Sequence, residues 1–504
     1  LATAAALAIA VAGLATTAQA QSLQDAIALA YRTNPPLLAQ RANQRALDET
    51  YVQARTGLRP TLSVSGGTGV TYRDTPVPAE PGIDFDGDGI DDIPGTPASR
   101  DRSDFTSASV GISLNQNLYT GGRIAHGINA AEASVLAGRE NLRDVEQEVM
   151  QSVIQAYVDV LRDEEVLVIR RDNIAVLEES NARFEVGEIP RTDVAQSEAR
   201  LAQSESDLAV AEAQLSVSRA AFAAVVGQAP ATLEPTPALP PAPSDFDVAL
   251  DSGLVRNPAL VAAEYNLRAA EAQVAQTRAE YRPSVGLSAS LGNSFDSLSN
   301  LDLNDSSREF SATANISVPL FTGGLNASRV AQALERANAA QIGVEGQRRN
   351  VLQLVSSAYA QVIAARSTLE AGEEAVRAAT IAAEGVRQEA QVGLRTTLDV
   401  LNQELELRAA QVTLANARRN EYVAQAALLA AMGQLSGASL APVEAYDPAD
   451  NFQRVRNRGA VPWEFLVEAL DRIAAPAIVP ANDQEDAPVD AQLKSEVIQT
   501  APGS

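Results

Sequence analysis

The 504-residue sequence has no cysteine, one histidine, one tryptophan and two methionines, and aromatic residues make up only 4% of it. Without cysteine there is no disulfide, no thiolate metal site, no cysteine nucleophile and no lipid-accepting N-terminal cysteine. The lone histidine, His126, rules out a His-rich metal site and argues against histidine-based catalysis. Basic residues are few, 39 against 64 acidic ones, and the net charge of −25 argues against a nucleic-acid partner. After residue 20 no stretch reads as long and apolar enough to span a bilayer as a helix. What is abundant is alanine, within a hydrophobic content of 46%. Alanine is small and has the highest helix propensity, so this composition favours long, closely packed helices over a large globular core.

Residues 1–20, LATAAALAIAVAGLATTAQA, form an apolar run ending in the small-x-small site Ala18-Gln19-Ala20. They read as a signal peptide whose basic n-region the sequence does not include. A membrane anchor is the alternative, but a spanning helix wants ~20 strongly apolar residues. The mature chain is expected to start near Gln21, in an envelope compartment.

The remainder is one unit written twice. Asn34-Pro35 leads to Leu58-Arg59-Pro60 and then TLSVSG; Asn257-Pro258 leads to Tyr281-Arg282-Pro283 and then SVGLSAS. Tyr119-Thr120-Gly121-Gly122 matches Phe321-Thr322-Gly323-Gly324, and QAYVDVL around Tyr157 matches SAYAQVI around Tyr359. Val186-Gly187 with Thr192-Asp193-Val194 matches Val392-Gly393 with Leu398-Asp399-Val400. Each half closes on a Gly-Gln pair, Gly227-Gln228 and Gly433-Gln434. The repeats therefore cover 21–228 and 246–440, joined by a Pro-rich extended linker at 229–245 and followed by a tail at 441–504.

Each repeat has the order helix, strand pair, long helix, returning helix. Residues 22–58 and 246–281 are Ala-rich helices ended by the Arg-Pro pairs. Strands are expected at about 61–73 and 105–119, and at about 284–296 and 309–321, because apolar residues there alternate. Leu62, Val64, Val70 and Tyr72 share one parity, as do Val110, Ile112 and Leu114; Val285, Leu287 and Leu291; and Phe310, Ile316, Val318 and Leu320. The other face is Ser, Thr, Asn and Gly, which suits a soluble sandwich or a lipid-facing barrel with a wet lumen. Residues 123–186 and 325–392 contain no proline. As helices each would run on the order of 100 Å, far beyond a hydrocarbon core of about 30 Å. The returning helices carry a heptad, Val194, Leu201, Leu208, Leu215, Phe222 and then Val400, Leu407, Leu414, Leu428, with Glu421 interrupting, which implies coiled-coil packing. Four strands cannot close a barrel, and open edges are not tolerated in lipid, so other chains must complete it.

The duplicated order of these motifs over residues 22–440 resembles the TolC-like family of outer-membrane export ducts. The resemblance implies an α plus transmembrane β-barrel fold. Four strands per chain would build a twelve-stranded barrel in a homotrimer, standing on a long α-helical coiled-coil tunnel through the periplasm. It implies a passive, non-enzymatic duct in the outer membrane of a Gram-negative bacterium. A periplasmic adaptor and an inner-membrane transporter, ABC or proton-driven, would dock at the narrow end. That end maps to the tip turns at Gly187 and Gly393. In the family, a Thr-Asp pair after the first turn meets an Arg after the second turn of a neighbouring coil; here these are Thr192, Asp193 and Arg395. Asp399 matches an acidic ring of the family. The sequence departs at Ala390, where the family has Tyr, and at Asn402, where it has a second acidic residue.

Weaker signals complete the reading. Asp84, Asp86 and Asp88 begin a D-x-D-x-D-G segment resembling a calcium loop, but Gly95 stands where the bidentate Glu belongs. The expectation is a weak extracellular calcium site or a solvated acidic loop; no other cofactor is expected. The Gly-Gly pairs lack a P-loop lysine and read as strand-to-helix turns. His126 reads as an early helix residue. The last ~60 residues read as a largely disordered periplasmic tail, although Tyr446 through Arg458 are placed against the outside of the tunnel. The competing classes are a periplasmic coiled-coil adaptor, which the strand pairs argue against, and a soluble structural coiled coil, which gives the strands and signal peptide no purpose.

Overall fold

The computed structural model describes residues 21–480 other than 84, 86, 88, 92, 185–190 and 296–305, and describes the backbone alone at 105, 175–184, 191–194, 197 and 397. Each repeat opens with a helix broken at its Asn-Pro step: α1 (Leu23–Thr33) and α2 (Pro35–Arg55), then α5 (Phe246–Arg256) and α6 (Pro258–Arg278). Asn34 and Asn257 each end one helix and cap the next. Asn257 Oδ1 accepts from the N–H groups of Ala259 and Leu260 at 3.1 and 3.3 Å. The side-chain amides reach further, to the carbonyls of Val225 (2.9 Å) and Ala431 (3.1 Å) at the ends of the returning helices. The duplicated Asn thus fastens the start of each repeat to its close.

The long helices are α3 (Arg123–Phe184, 62 residues) and α7 (Leu325–Gln391, 67 residues), so each is roughly 90–100 Å long. They pair with the returning helices α4 (Arg191–Val226) and α8 (Thr397–Ala431). The heptad residues Leu215, Phe222, Leu407, Leu414 and Leu428 are buried. Within α4, Glu198–Val226 is long and apolar enough to cross a membrane by composition (mean hydropathy 1.3), which the sequence reading did not anticipate. Its buried residues Ser204, Ala211, Leu215, Ser218 and Phe222 recur every three to seven positions along α3, so it is a coiled-coil strand rich in alanine.

The strands form one antiparallel sheet in the order β1 (Thr61–Val77), β2 (Ser99–Tyr119), β3 (Ser284–Phe295), β4 (Ser307–Ser317). The first hairpin is longer than expected and the second ends sooner. Pro319 explains the latter, because it has no N–H to continue the ladder past Ser317.

The linker is extended but not free. The Tyr157 hydroxyl sits 2.9 and 2.7 Å from the carbonyls of Gln21 and Glu234, and its repeat counterpart Tyr359 donates to the Ser244 carbonyl at 2.6 Å. In the tail, the stretch Tyr446 through Arg458 packs against the helices as expected, and the helix at 464–471 corrects the expectation of disorder. After α9 (Gly437–Leu440), α10 (Pro448–Val455) packs on α2, with Phe452 against Tyr51 at 4.9 Å and the Asn451 amide donating to Asp48 at 2.7 Å. The following α11 (Glu464–Asp471) packs where β2 passes into α3.

Candidate functional site

The channel wall follows from strand register. Leu62 faces Leu114, Leu114 faces Ala289, Ile112 faces Leu291, and Leu291 faces Phe310. Residues paired across neighbouring strands lie on the same face, so the apolar parity forms one band across all four strands. The opposite face carries Ser63, Ser113, Ser290 and Ser311, whose hydroxyls pair at 2.7 Å (Ser63 with Ser113) and 2.8 Å (Ser290 with Ser311). An exposed apolar band backed by hydroxyls is a wall with lipid on one side and water on the other. Beyond Tyr72 the first hairpin becomes charged, and Asp74 takes Arg100 and Arg102 at 3.3 and 3.6 Å. A crossing strand needs only about 9–11 residues, so this hairpin projects past the band.

At the other end, α7 terminates in a Schellman motif. Gly393 adopts φ 80°, its N–H donates to Ala390 at 3.0 Å, and the Leu394 N–H donates to Glu389 at 2.9 Å. Thr396 then caps α8 in a capping box with Asp399: the Asp399 carboxylate accepts from the Thr396 N–H (3.1 Å) and hydroxyl (2.8 Å). The hydroxyl hydrogen bond to Thr396, followed by its backbone N–H, holds the Asp399 carboxyl below its usual range, with Arg395 adding to the effect. Asp399 is therefore ionised at neutral pH. Arg395 pairs with Glu389 at 2.8 Å, and this contact raises its already high pKa.

The fold thus brings Gly393, Arg395 and Asp399 into one turn. Gly187 lies outside the described residues. Thr192 and Asp193 lie on the first turn of α4, their side chains outside what is described. Asp84, Asp86 and Asp88 are also outside; the ends of their loop are held by Ile83 and Ile93, whose N–H groups each donate to the other's carbonyl at 3.0 and 3.1 Å. His126 is a buried residue of the first turn of α3.

Three features were not foreseen from the sequence. Glu389 occupies Arg395; it lies six residues upstream, across a glycine turn, where no helical spacing links the two. Arg387 pairs with the buried Glu404 between α7 and α8 just above the turn. The tail also clamps the barrel base through Glu464 and Asp471. Glu464 accepts from Arg55 at 2.8 Å and Arg59 at 2.9 Å. Asp471 accepts from Thr120, Gly122 and Ala125. The spacing Glu464, Val467, Asp471 is that of one helical face, but nothing local in the sequence marks its two acids as buried.

A strand wall with one lipid-compatible face, continuous with helices three times longer than a bilayer core is thick, defines the protomer of an outer-membrane channel with a periplasmic tunnel. The outer membrane efflux protein family profile matches residues 26–228 and 249–434, and the chain belongs to that family. It is 32% identical to the outer membrane efflux protein BepC of Brucella suis, over 90% of this chain and 95% of that one. It is 26% identical to the alkaline protease secretion protein AprF of Pseudomonas aeruginosa, over 84% and 87%. The crystal structure of the Campylobacter jejuni CmeC outer membrane channel superposes with a TM-score of 0.69 at 14% identity, covering 86% of this chain and 89% of that chain. Proteins of this family are non-enzymatic and form trimeric channels of tripartite systems in the Gram-negative outer membrane.

Proposed function

We propose that three copies of this chain join the outer edge of β4 to the outer edge of β1 of the next copy, closing a twelve-stranded efflux duct. The carrying observation is that a sheet with one apolar face ends in two unpaired edges, which lipid does not tolerate. The internal duplication supplies the register. Asn115 on β2 faces Ser288 on β3. Aligning Gly121 with Gly323, and Pro60 with Pro283, carries that pair to Ser317 and Ser65 of the next copy. Both lie on the hydroxyl-bearing face. The chain has no cysteine of its own, so the double variant Ser65→Cys, Ser317→Cys tests the seam directly. Oxidation should convert the monomer band to covalent dimer and trimer on a non-reducing gel. Monomer alone, or crosslinking that prefers Cys at Asn315 over Ser317, would refute this register.

The same reading has Thr192 and Asp193 of one coil meeting Arg395 of a neighbour at the tunnel tip, Asp399 lining the constriction, and a periplasmic adaptor and inner-membrane transporter docking there. Asp84, Asp86 and Asp88 are proposed as a weak calcium site on the external loop. Small solutes are the favoured cargo, because identity and coverage are higher for a relative named for efflux than for one named for protease secretion. Deleting the gene should sensitise cells to toxic solutes. Unchanged sensitivity with loss of a secreted protein would favour polypeptide export.

A further inference from the structure

The polarity of α11 is reversed. A helix on a watery surface turns its apolar side inward and its charges outward. In α11 the buried face is Glu464, Val467 and Asp471, with Asp471 fully buried. The outward face is Phe465, Leu466 and Leu470, flanked by Trp463 and Ile473, and these five are 47–65% exposed. The inward acids are not strained by this. Glu464 lies against Arg55 and Arg59, and Asp471 accepts the first amides of α3. Among the described residues, none gives the outward side comparable cover.

The position of α11 indicates what covers them. Asp471 holds Thr120, the residue after β2, and the Tyr119 hydroxyl donates to the Ile473 carbonyl at 3.1 Å. The helix is therefore fixed where the apolar wall ends and the tunnel begins. That level is the periplasmic edge of the hydrocarbon core, and Tyr119, whose hydroxyl reaches Ile473, pairs with Val285 of the apolar face of β3. A neighbouring copy is a poorer occupant, since α11 packs on β2 and α3, inside one protomer, and not on the free edge of β4.

We propose that α11 is an interfacial helix that inserts its apolar face among phospholipid acyl chains of the periplasmic leaflet, with Trp463 at headgroup depth. Apolar residues on one side and an indole at the rim are what such helices present to a bilayer. Here the tail anchors the duct to the leaflet while its acids lock it onto the barrel base.

Trp463 is the only tryptophan in the chain, so its fluorescence reports on this helix without labelling. The unmodified protein is reconstituted in phosphatidylethanolamine–phosphatidylglycerol vesicles in which the acyl chains carry bromine near the headgroup or near the methyl end. The expected result is loss of most of the emission with shallow bromines, a smaller loss with deep ones, and little with aqueous iodide. Quenching by iodide without quenching by bromolipid would overturn the proposal, as would shielding from both, which would mean that protein covers the helix. As a second arm, Phe465→Asp with Leu470→Asp leaves both buried acids in place. It should red-shift the emission and abolish bromolipid quenching in protein that still assembles; quenching that persists unchanged would also overturn the proposal.

Discussion

The carboxylate of Asp471 caps α3, a helix that begins far upstream in the sequence. One oxygen accepts from the N–H and the hydroxyl of Thr120 at 2.6 and 2.7 Å, across 351 residues, and the other accepts from the Ala125 N–H at 3.1 Å. Gly122 is required by the same approach. Its φ is 90°, and a Cβ there would sit 2.4 Å from that of Ala475. At the matching Gly324, φ is 85° and a Cβ would meet nothing. The two Gly-Gly turns share a backbone, but only the first is clamped by the tail of its own chain.

Asp471→Ala should therefore release α11. It strands buried amide donors at a helix start, a loss of about 0.5–2 kcal/mol for a capping residue and more where the acceptor is charged. Denaturant-dependent Trp463 fluorescence should show the tail detaching at lower denaturant than in the unmodified protein. Gly324→Ala, though strained by its φ, should leave that transition in place. An unshifted tail transition in Asp471→Ala would show that the cap contributes nothing.

His126 gives this junction a pH dependence. Burial lowers its pKa; Arg472 acts in the same direction, while the Pro476 carbonyl and Asp471 oppose it in part. Neither ring nitrogen makes a hydrogen bond of normal geometry. The folded junction therefore favours the neutral ring. Its stability is full above the ordinary histidine range and is lost as pH falls through the lowered pKa, because the unfolded ring takes up the proton first. Lowering the pH from about 7.5 to about 5.5, across the ordinary value of ~6.5, should bring the tail transition to lower denaturant. His126→Gln should flatten that response, and an equally steep response in the variant would assign it to other groups.

The external loop yields a third expectation. If Asp84, Asp86 and Asp88 hold calcium, the ion should protect the loop of intact cells from protease, and Asp86→Ala with Asp88→Ala should remove the protection. Extracellular sites bind at roughly 0.1–1 mM, so the titration belongs in that range. Equal cleavage with and without calcium in the unmodified protein would leave only a solvated acidic loop.

The sheet and the long helices were legible because each is written as a period: two in the strands, seven in the returning helices, with proline absent from the long stretches. Duplication made each weak motif count twice. Pro319 was visible in the sequence, yet alternation through Val318 and Leu320 masked its effect on β4. The tail beyond Arg458 was misread because α11 inverts the usual pattern: Glu464 and Asp471 look solvated in sequence and are buried only because Arg55, Arg59 and the amides at the start of α3 lie hundreds of residues upstream. Pairings of that kind carry no local signal. The same holds at the tip, where Asp399 was readable from the repeat and Arg395 from the family resemblance, but Glu389 became a partner only through the turn at Gly393.

That partner sharpens the test of the gate. Within one chain Arg395 is held by Glu389 at 2.8 Å, whereas the proposed latch needs Arg395 to reach Asp193 and Thr192 of a neighbouring coil. The two acids then compete for one guanidinium. Arg395→Ser should raise single-channel conductance in planar bilayers, and Asp193→Ala should do the same. Glu389→Ala should have the opposite effect, since it frees Arg395 for the neighbour and favours the narrow state. The double variant Arg395→Ser, Glu389→Ala should behave as Arg395→Ser alone, because without the arginine Glu389 has nothing to withhold. Under the proposed constriction Asp399 acts separately: its pKa is lowered by the Thr396 hydrogen bonds, which keeps it charged, and Asp399→Asn should chiefly weaken cation selectivity and block by multivalent cations. Should Glu389→Ala raise conductance as Arg395→Ser does, the ion pair across the Gly393 turn would itself be what keeps the tip narrow, and the latch between neighbouring coils would be wrong.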